Sequence, residues 1–267
     1  FASGTLQQEL ENAGVVTIAA DLMNDDELQA LPDVPNIIYM AGMKFGTNGN
    51  EHQTWAMNAY LPGRIADKFR NSRMVVFSTG TVYPLASIQD GGCDEDHYLS
   101  PVGEYAQSCL GRERIFTYFS HKYHTPLTVF RLNYAIDLRY GILLEIAKQV
   151  HNMEPVDVTM GYVNVIWQGD ANEYALRSLL LADSPPAFLN VTGPETVSIR
   201  WLAHEFGKRF GIPVSITGIE ETTALLNNSA QAFRLFGYPK VSLGEMIDMT
   251  AAWVKQDGFT TNKPTHF

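Results

Sequence analysis

The sequence has 267 residues, 45% of them hydrophobic, which is enough for one large domain with a sizeable buried core, or for a domain with a smaller lobe. Its 19 basic and 29 acidic side chains give a formal net charge of −10, and this balance argues against non-specific binding to nucleic acid. With two cysteines, no zinc-ligand spacing and no apolar run of membrane-spanning length, we expect a soluble, reduced, cytoplasmic protein without a structural metal and without a membrane partner.

Four short apolar runs, each bounded by turn-forming residues, predict strands that are buried on both faces. In chain order they are VVTIAA at 15–20, NIIYMAG at 36–42, MVVFST at 74–79 and LTVFRL at 127–132. Helical patterns lie between them; in one, apolar residues recur at Leu61, Ile65 and Phe69. Strands that alternate with helices imply right-handed crossovers and a parallel sheet covered on both faces. We therefore predict a doubly wound α/β domain over residues 1–135.

The pattern loosens after the fourth predicted strand. The next predicted elements are a helix near 139–151, a helix near 170–182 and the strand AFLNVTG. Two later helices have clear start signals, Ser198 in one case and a capping box of Ser242 and Glu245 in the other. We predict that residues 136–267 form mainly a smaller lobe, with segments near 170–192 returning to the main sheet.

Polar or small residues follow each predicted strand at its carboxyl end, which is where open parallel sheets bind their ligands. They are Asp21 after the first strand, Ala41 and Gly42 after the second, Ser78, Thr79, Gly80 and Thr81 after the third, and Asn133 and Tyr134 after the fourth. Small and hydroxyl side chains allow a ligand to approach the backbone closely. The alternative is that each of them belongs to an ordinary polar turn.

The stretch SPVGEYAQSCLGRERIF at 100–116 predicts a helix that Ser100 caps. Tyr105, Cys109 and Arg112 stand at i, i+4 and i+7 of this helix, so they should share one face.

Taken in chain order, the motifs resemble the extended short-chain dehydrogenase/reductase family, which includes NAD-dependent nucleotide-sugar epimerases and dehydratases. The segments that carry the resemblance run through essentially the whole chain: AADL, IIYMAG, WAMNAY, FSTGTVYP, EYAQSC, FLNVTGPETVSIRWLA and YPKVSLGEMIDMTAAWV. The resemblance implies a Rossmann-like fold, an NAD or NADP cofactor, a small-molecule substrate bound by the second lobe, and homodimers that pair through the WAMNAYLPGRIADKF segment and the Tyr105 helix.

The resemblance also implies roles for individual residues. Tyr105 becomes the catalytic acid/base, Thr79 the hydroxyl that binds the substrate oxygen, and Asn58 a structural or relay residue, while Asp21 lies beside adenine. The implied cofactor-binding residues are Asp21, Ala41, Gly42, Asn58, Ser78, Tyr105 and Asn133. Hydride transfer requires a proton to move on or off the neighbouring oxygen, and a phenol does this if its pKa falls from about 10 toward the working pH.

The family pattern is Tyr-x-x-x-Lys, and this sequence has Cys109 where the lysine would be. A thiol supplies neither a cation nor a strong donor, and we interpret Cys109 as a small buried helix residue. Lys44 and Arg112 are candidate replacement cations. Our hypothesis favours Lys44, because Arg112 lies about 10 Å along the helix from Tyr105. The alternative is that Lys44 is a solvated surface residue.

No G-x-G-x-x-G motif is present. The family's glycine-rich turn lies in its first βαβ unit, so the resemblance implies that this unit is partly missing and that ~30 or more residues precede the chain. On the substrate side, Val163 and Asn164 replace an Arg-Asp pair of the family, and Gly80-Thr81 replaces the Asp-Glu pair of sugar dehydratases. These departures disfavour a dehydratase and weaken the case for a nucleotide-sugar epimerase.

We therefore expect an NAD(P)-dependent oxidoreductase or epimerase that acts on a hydroxyl or carbonyl carbon of a small polar, sugar-like substrate. The alternative is a catalytically impaired dinucleotide-binding protein that serves as a redox sensor or scaffold, an interpretation that Cys109 favours.

Overall fold

The computed structural model of the protein describes residues 4–261, 263 and 265. Its centre is a parallel sheet of four strands in the order β1-β2-β3-β4. The strands are β1 (Asn36–Tyr39), β2 (Arg73–Thr79), β3 (Leu127–Leu132) and β4 (Ala187–Val191). All four carboxyl ends therefore lie at one edge of the sheet.

Ten α-helices accompany the sheet in the described residues. They are α1 (Gly4–Asn12), α2 (Asp25–Ala30), α3 (Glu51–Trp55), α4 (Leu61–Lys68), α5 (Gly103–Tyr123), α6 (Ile142–His151), α7 (Gln168–Arg177), α8 (Ile199–Phe210), α9 (Ala230–Phe236) and α10 (Leu243–Lys255). A π-helical turn (Ala56–Tyr60) joins α3 to α4, and 3₁₀ turns cover Gly80–Val82 and Ser178–Leu181. Two-residue strands pair Ala86–Ser87 with Thr223–Ala224, Ala135–Ile136 with Ile166–Trp167, Val156–Asp157 with Ile216–Thr217, and Tyr162–Val163 with Val197–Ser198.

Side chains of the central strands alternate between two apolar cores. Met74 and Val76 of β2 pack with residues of α4 and α5 on one face of the sheet. Val75 of β2 and Phe130 of β3 pack with residues of α7 and α9 on the other face. Because apolar residues of β2 are buried on both faces, its sequence has no polar alternation. The predicted doubly wound α/β fold is confirmed.

Three of the four strands predicted ahead of residue 133 are present, and β3 begins and ends where the pattern predicts. The strand predicted at 15–20 is wrong. No strand of the described chain pairs with this segment, and Val16 is 87% exposed. A branched apolar run becomes a strand only when a neighbouring backbone supplies hydrogen bonds, and β1, the edge strand of the described sheet, pairs with β2 alone.

Of the three predicted helix starts, two are confirmed and one is wrong. Ser198 accepts a hydrogen bond from the backbone N–H of Trp201, and both bonds of the capping box at Ser242 are present, so these two predictions are confirmed. Ser100 is not the N-cap of α5: its N–H donates to the carbonyl of Val82 and α5 begins three residues later, after extended Val102.

The carboxyl-terminal part of the chain has a core of its own. Helices α6, α8 and α10 pack together around buried side chains such as Ile146, Phe206 and Ile247. The start of α6 lies near the carboxyl ends of the central strands, because the residues that join β3 to α6 cross that edge of the sheet. In the part of the chain that the structure describes, no helix is long and apolar enough to cross a membrane.

Candidate functional site

A cavity of about 550 Å³ lies at the carboxyl ends of β2 and β3. Its described lining residues are Lys44, Gly46, Thr47, Asn48, Ser78, Thr79, Thr81, Tyr105, Leu132, Asn133, Tyr134, Ala135, Ile136, Tyr140, Gly141, Ile142, Gln168, Leu225 and Thr265. Lys44 is the one charged side chain among these described residues, and the others are hydroxyl, amide, apolar or glycine residues. The cavity therefore offers many neutral hydrogen-bonding groups and a single positive charge.

Tyr105 enters this cavity from the first turn of α5 and meets Thr79, the last residue of β2. The Thr79 hydroxyl oxygen lies 3.2 Å from the backbone N–H of Thr81, which donates to it, and 3.1 Å from the Thr81 hydroxyl. Burial raises the pKa of Tyr105 above its usual range and Cys109 adds to this, whereas the charge of Arg112 and a hydrogen bond from Thr79 lower it. Tyr105 thus carries its proton at neutral pH, next to a second hydroxyl whose position is fixed.

Cys109 lies one helical turn from Tyr105 and is 1% exposed. It packs among the side chains of Val82, Tyr83 and Leu226, in the apolar cluster against which Tyr105 also packs. Burial raises the pKa of its thiol, against the positive charge of Arg112. Cys109 is therefore a neutral neighbour of the phenol and provides no cation.

Arg112 acts electrostatically on Tyr105 and Cys109, since its positive charge lowers the pKa of both groups. Arg112 is 6% exposed, and its guanidinium donates to the carbonyl of Phe77 at 2.9 Å and to Oδ1 of Asn58 at 2.7 Å. Long helical side chains point back toward the helix amino terminus, which brings the guanidinium toward the earlier turns.

Lys44 lies in the loop after β1 and reaches the cavity from its open side. Its ammonium group donates to the hydroxyl of Tyr140 at 2.7 Å and lies 5.5 Å from the ring centre of Phe45. Partial desolvation lowers the pKa of Lys44, while the charge of Glu145 opposes this effect. The charge of Lys44 also acts on Cys109, which lowers the pKa of that thiol. Lys44 as a replacement for the missing lysine remains a prediction, now with a defined position in the cavity.

Asn58 does not line the cavity; it lies behind the loop that carries Lys44. Its amide oxygen accepts from the N–H of Met43 at 2.7 Å and from Arg112, and its amide nitrogen donates to the carbonyl of Met43 at 2.9 Å and to Ser108 at 3.0 Å. The π-helical turn places this fully buried side chain against the loop. Asn58 therefore fixes the backbone immediately before Lys44.

Gly42 packs against Arg112 and Asn58, which leave no room for a side chain at this position. A Cβ atom there would overlap with Nη2 of Arg112 and would lie 2.9 Å from Oδ1 of Asn58. We expect Gly42→Ala to lower the free energy of unfolding by about 1–3 kcal/mol, because overpacking forces a buried neighbour to move. Chemical denaturation measures the loss. Gly244→Ala is the matched control, since a Cβ at Gly244 meets no atom within 4 Å; equal stability of the two variants would contradict the expected overlap.

Of the seven predicted cofactor residues, three line the cavity and four do not. Ser78 and Asn133 line the cavity, but Ser78 donates its hydroxyl to Glu113 at 2.5 Å and Asn133 donates its amide to Asn164 at 3.1 Å. Asp21 is exposed, and its carboxylate accepts from the backbone N–H of Met23. Three further residues of that prediction are also outside the lining: Ala41, Gly42 and Asn58. The structure thus brings Ser78, Tyr105 and Asn133 together with both Thr79 and Lys44.

Sequence patterns gave no reason to choose Tyr140 or Thr265, although both line the cavity. Tyr140 follows the loop after β3 and Thr265 lies close to the carboxyl terminus. Neither belongs to a local motif, and only the tertiary fold brings them to Tyr105.

No protein-family model matches the chain, and no curated protein matches it in sequence. Solved structures do match. UDP-glucuronic acid 4-epimerase from Bacillus cereus, in complex with NAD, is 18% identical with a TM-score of 0.79, over 95% of this chain and 86% of that chain. RMD from Pseudomonas aeruginosa, complexed with NADPH, is 17% identical with a TM-score of 0.78, over 93% and 94% of the two chains.

UDP-glucose 4-epimerase from Thermotoga maritima, with UDP-glucose, is 14% identical with a TM-score of 0.75, over 96% of each chain. At these identities the likeness establishes the fold alone: the chain has the Rossmann-like fold of these epimerase and RMD structures. The fold implied by the sequence motifs is thereby confirmed.

Proposed function

We propose that the protein is an NAD(P)-dependent oxidoreductase or epimerase of the extended short-chain dehydrogenase/reductase family, acting on a hydroxyl or carbonyl carbon of a small polar, sugar-like substrate. The observation that carries the proposal is that Tyr105 and Thr79 line the same cavity at the carboxyl edge of a parallel sheet. The NAD- and NADPH-bound epimerase and RMD structures of the same fold support it.

The donor set of the cavity fits the nicotinamide half of a dinucleotide. Asn133 offers the oxygen of its amide, whose nitrogen donates to Asn164, and Tyr105 offers a hydroxyl. Leu132 and Ile136 offer apolar surface for a ring, and no carboxylate stands among the described lining residues to repel a phosphate. We assign Ser78, Tyr105 and Asn133 to hold the cofactor. A bound nicotinamide would supply the hydride acceptor or donor next to the substrate carbon.

Tyr105 moves the proton in this proposal. When a carbonyl is reduced, its phenol gives a proton to the substrate oxygen; when a hydroxyl is oxidised, the phenolate takes the proton. Because burial raises the pKa of Tyr105, the protonated form dominates at neutral pH and acts as the acid. Thr79 holds the substrate oxygen in place, since its own position is fixed by the backbone N–H of Thr81.

Lys44 supplies charge to the bound substrate or cofactor in this proposal, together with the Tyr140 hydroxyl. We expect Lys44→Met to lower kcat/KM by about tenfold or more, because a hydrogen bond to a charged group contributes about 1.5–3 kcal/mol. Calorimetric titration with NAD and NADP and turnover assays with UDP-glucose and UDP-glucuronic acid measure the effect.

Lys263→Met is the matched control for that variant. The Lys263 ammonium group also lies over the Phe45 ring, at 4.9 Å from its centre, but Lys263 does not line the cavity of Tyr105. If Lys44→Met leaves both cofactor affinity and turnover at the level of Lys263→Met, Lys44 has no role in the site.

The same proposal extends to assembly and location. We propose a homodimer formed through α4, α5 and the π-helical turn, whose exposed aromatic residues include Tyr60 and Tyr118. Both cysteines, Cys93 and Cys109, are buried and free, which agrees with a cytoplasmic location. We retain the division at residues 135 and 136 between a cofactor domain and a substrate lobe.

A further inference from the structure

We propose that Thr265 is a specificity-determining residue whose hydroxyl binds a polar group of the substrate away from the reacting carbon. The inference rests on the proposed function, because it places the substrate in the cavity of Tyr105. Thr265 lines that cavity and is 6% exposed. Its Oγ1 atom is buried and has no hydrogen-bond partner among the described residues. A buried hydroxyl left unpaired costs about 1–3 kcal/mol, so its position next to a ligand cavity calls for a ligand that pairs with it.

The backbone of Thr265 is held in place by α6. Its N–H donates to Oε1 of Glu145 at 2.6 Å, across 120 residues of sequence. Glu145 belongs to the first turn of α6, and the residues just before it, Gly141 and Ile142, line the same cavity. A second contact anchors the segment nearby, where the N–H of Thr261 donates to the carbonyl of Arg139 at 3.0 Å. Thr265 therefore belongs to the wall of the cavity that α6 and the residues before it form. This wall is separate from the strand ends that carry Thr79.

The chemistry of that wall selects for a hydroxyl or carbonyl group. A threonine hydroxyl both donates and accepts, so it pairs with a sugar hydroxyl in either direction. The neighbouring lining residues Tyr134 and Tyr140 add phenol groups, and burial raises the pKa of each to about 12, so both stay neutral donors at neutral pH. A substrate that lacks the matching oxygen would leave the Thr265 hydroxyl unpaired and would bind less tightly.

Three variants test the assignment. Thr265→Val keeps the shape of the side chain and removes the hydroxyl, and Thr265→Ser keeps the hydroxyl. Thr261→Val is the matched control, because the Thr261 hydroxyl donates to the carbonyl of Arg139 and does not line the cavity. Calorimetry with the NAD-saturated protein gives dissociation constants for UDP-glucose and for a series of UDP-deoxyglucoses, each lacking one sugar hydroxyl.

We expect Thr265→Val to weaken the binding of UDP-glucose by about 2- to 12-fold, the value of one neutral hydrogen bond. With one of the deoxy sugars the wild type and Thr265→Val should bind equally, which a purely structural role would not produce. Thr265→Ser and Thr261→Val should bind UDP-glucose as the wild type does.

Equal binding of every sugar by the wild type and Thr265→Val would overturn the assignment, and so would the absence of any binding to the wild type. Failure of the proposed function has a different signature. In that case sugars bind, and the ratio of dissociation constants still reports on Thr265, but no sugar changes the nicotinamide absorbance.

Discussion

Tyr105→Phe is expected to lower kcat by about 10²- to 10⁴-fold while leaving the fold unchanged. The phenylalanine ring fills the same space, but it has no proton to give to the substrate oxygen. Thr79 keeps its bond to the Thr81 N–H, so the second hydroxyl stays in position. Steady-state kinetics measures the loss, and thermal unfolding establishes that the variant is folded. Calorimetry with NAD and NADP measures how much the missing hydroxyl contributes to cofactor binding.

Tyr162→Phe is the matched control for this variant. Tyr162 packs against the same apolar cluster as Tyr105 but does not line the cavity, so removing its hydroxyl should leave kcat unchanged. The pH dependence provides a second comparison. Because burial raises the pKa of Tyr105, the wild-type rate in the direction of oxidation should rise by about tenfold per pH unit through the neutral range. The phenylalanine variant should lack this rise, and a Tyr105→Phe enzyme with a tenth or more of wild-type turnover would contradict the assignment.

Glu113→Gln is expected to lower the free energy of unfolding by about 3–5 kcal/mol, because it leaves a buried arginine without its counter-charge. Arg131 donates to the Glu113 carboxylate at 3.0 Å and 2.9 Å, and the two side chains are 4% and 2% exposed. Ser78 donates to the same carboxylate, so one ion pair fastens α5 to both β2 and β3. The relative position of Tyr105 and Thr79 depends on that connection.

Chemical denaturation tests this expectation, with Glu173→Gln as the matched control. Glu173 pairs with Lys240 and Arg177 at the protein surface, where ion pairs contribute at most about 1 kcal/mol. A Glu113→Gln protein no less stable than Glu173→Gln would show that the buried pair does not hold α5 to the sheet. The double variant Glu113→Gln with Arg131→Met should regain part of the loss, since it removes the unpaired charge.

The fold could be predicted where a strand is buried on both faces of the sheet, because such a strand has a continuous apolar sequence. LTVFRL at 127–132 is such a run, and it forms β3 over the same residues. The run at 15–20 is also apolar and rich in branched residues, but it has no partner strand in the described chain. The residues of a run do not indicate whether a partner strand lies next to it. Two helix starts could be predicted because the hydroxyls of Ser198 and Ser242 cap the helices that follow them. Ser100 does not cap a helix, and its backbone N–H donates to the carbonyl of Val82.

The site could be predicted where its residues follow strand ends or share a helix face. Thr79 and Tyr105 were found in this way, and both line the same cavity in the structure. The charge of Arg112 lowers the pKa of Tyr105, an effect that spacing along the helix axis does not predict, because spacing neglects the length and direction of the side chain. Thr265 could not be predicted at all, since its contact with Glu145 spans 120 residues and follows from tertiary structure alone.

The most direct test of the proposed function is the absorbance of the nicotinamide. NAD is mixed with the wild type or with Tyr105→Phe, together with each compound of a panel: UDP-glucose, UDP-glucuronic acid and simple polyols. We expect reduced nicotinamide to appear with the wild type and at least one compound of the panel, and to be absent or at least 10²-fold slower with Tyr105→Phe. Equal rates for the two proteins, or bound NAD that no compound reduces in the wild type, would contradict the assignment of this cavity to Tyr105-dependent hydride transfer.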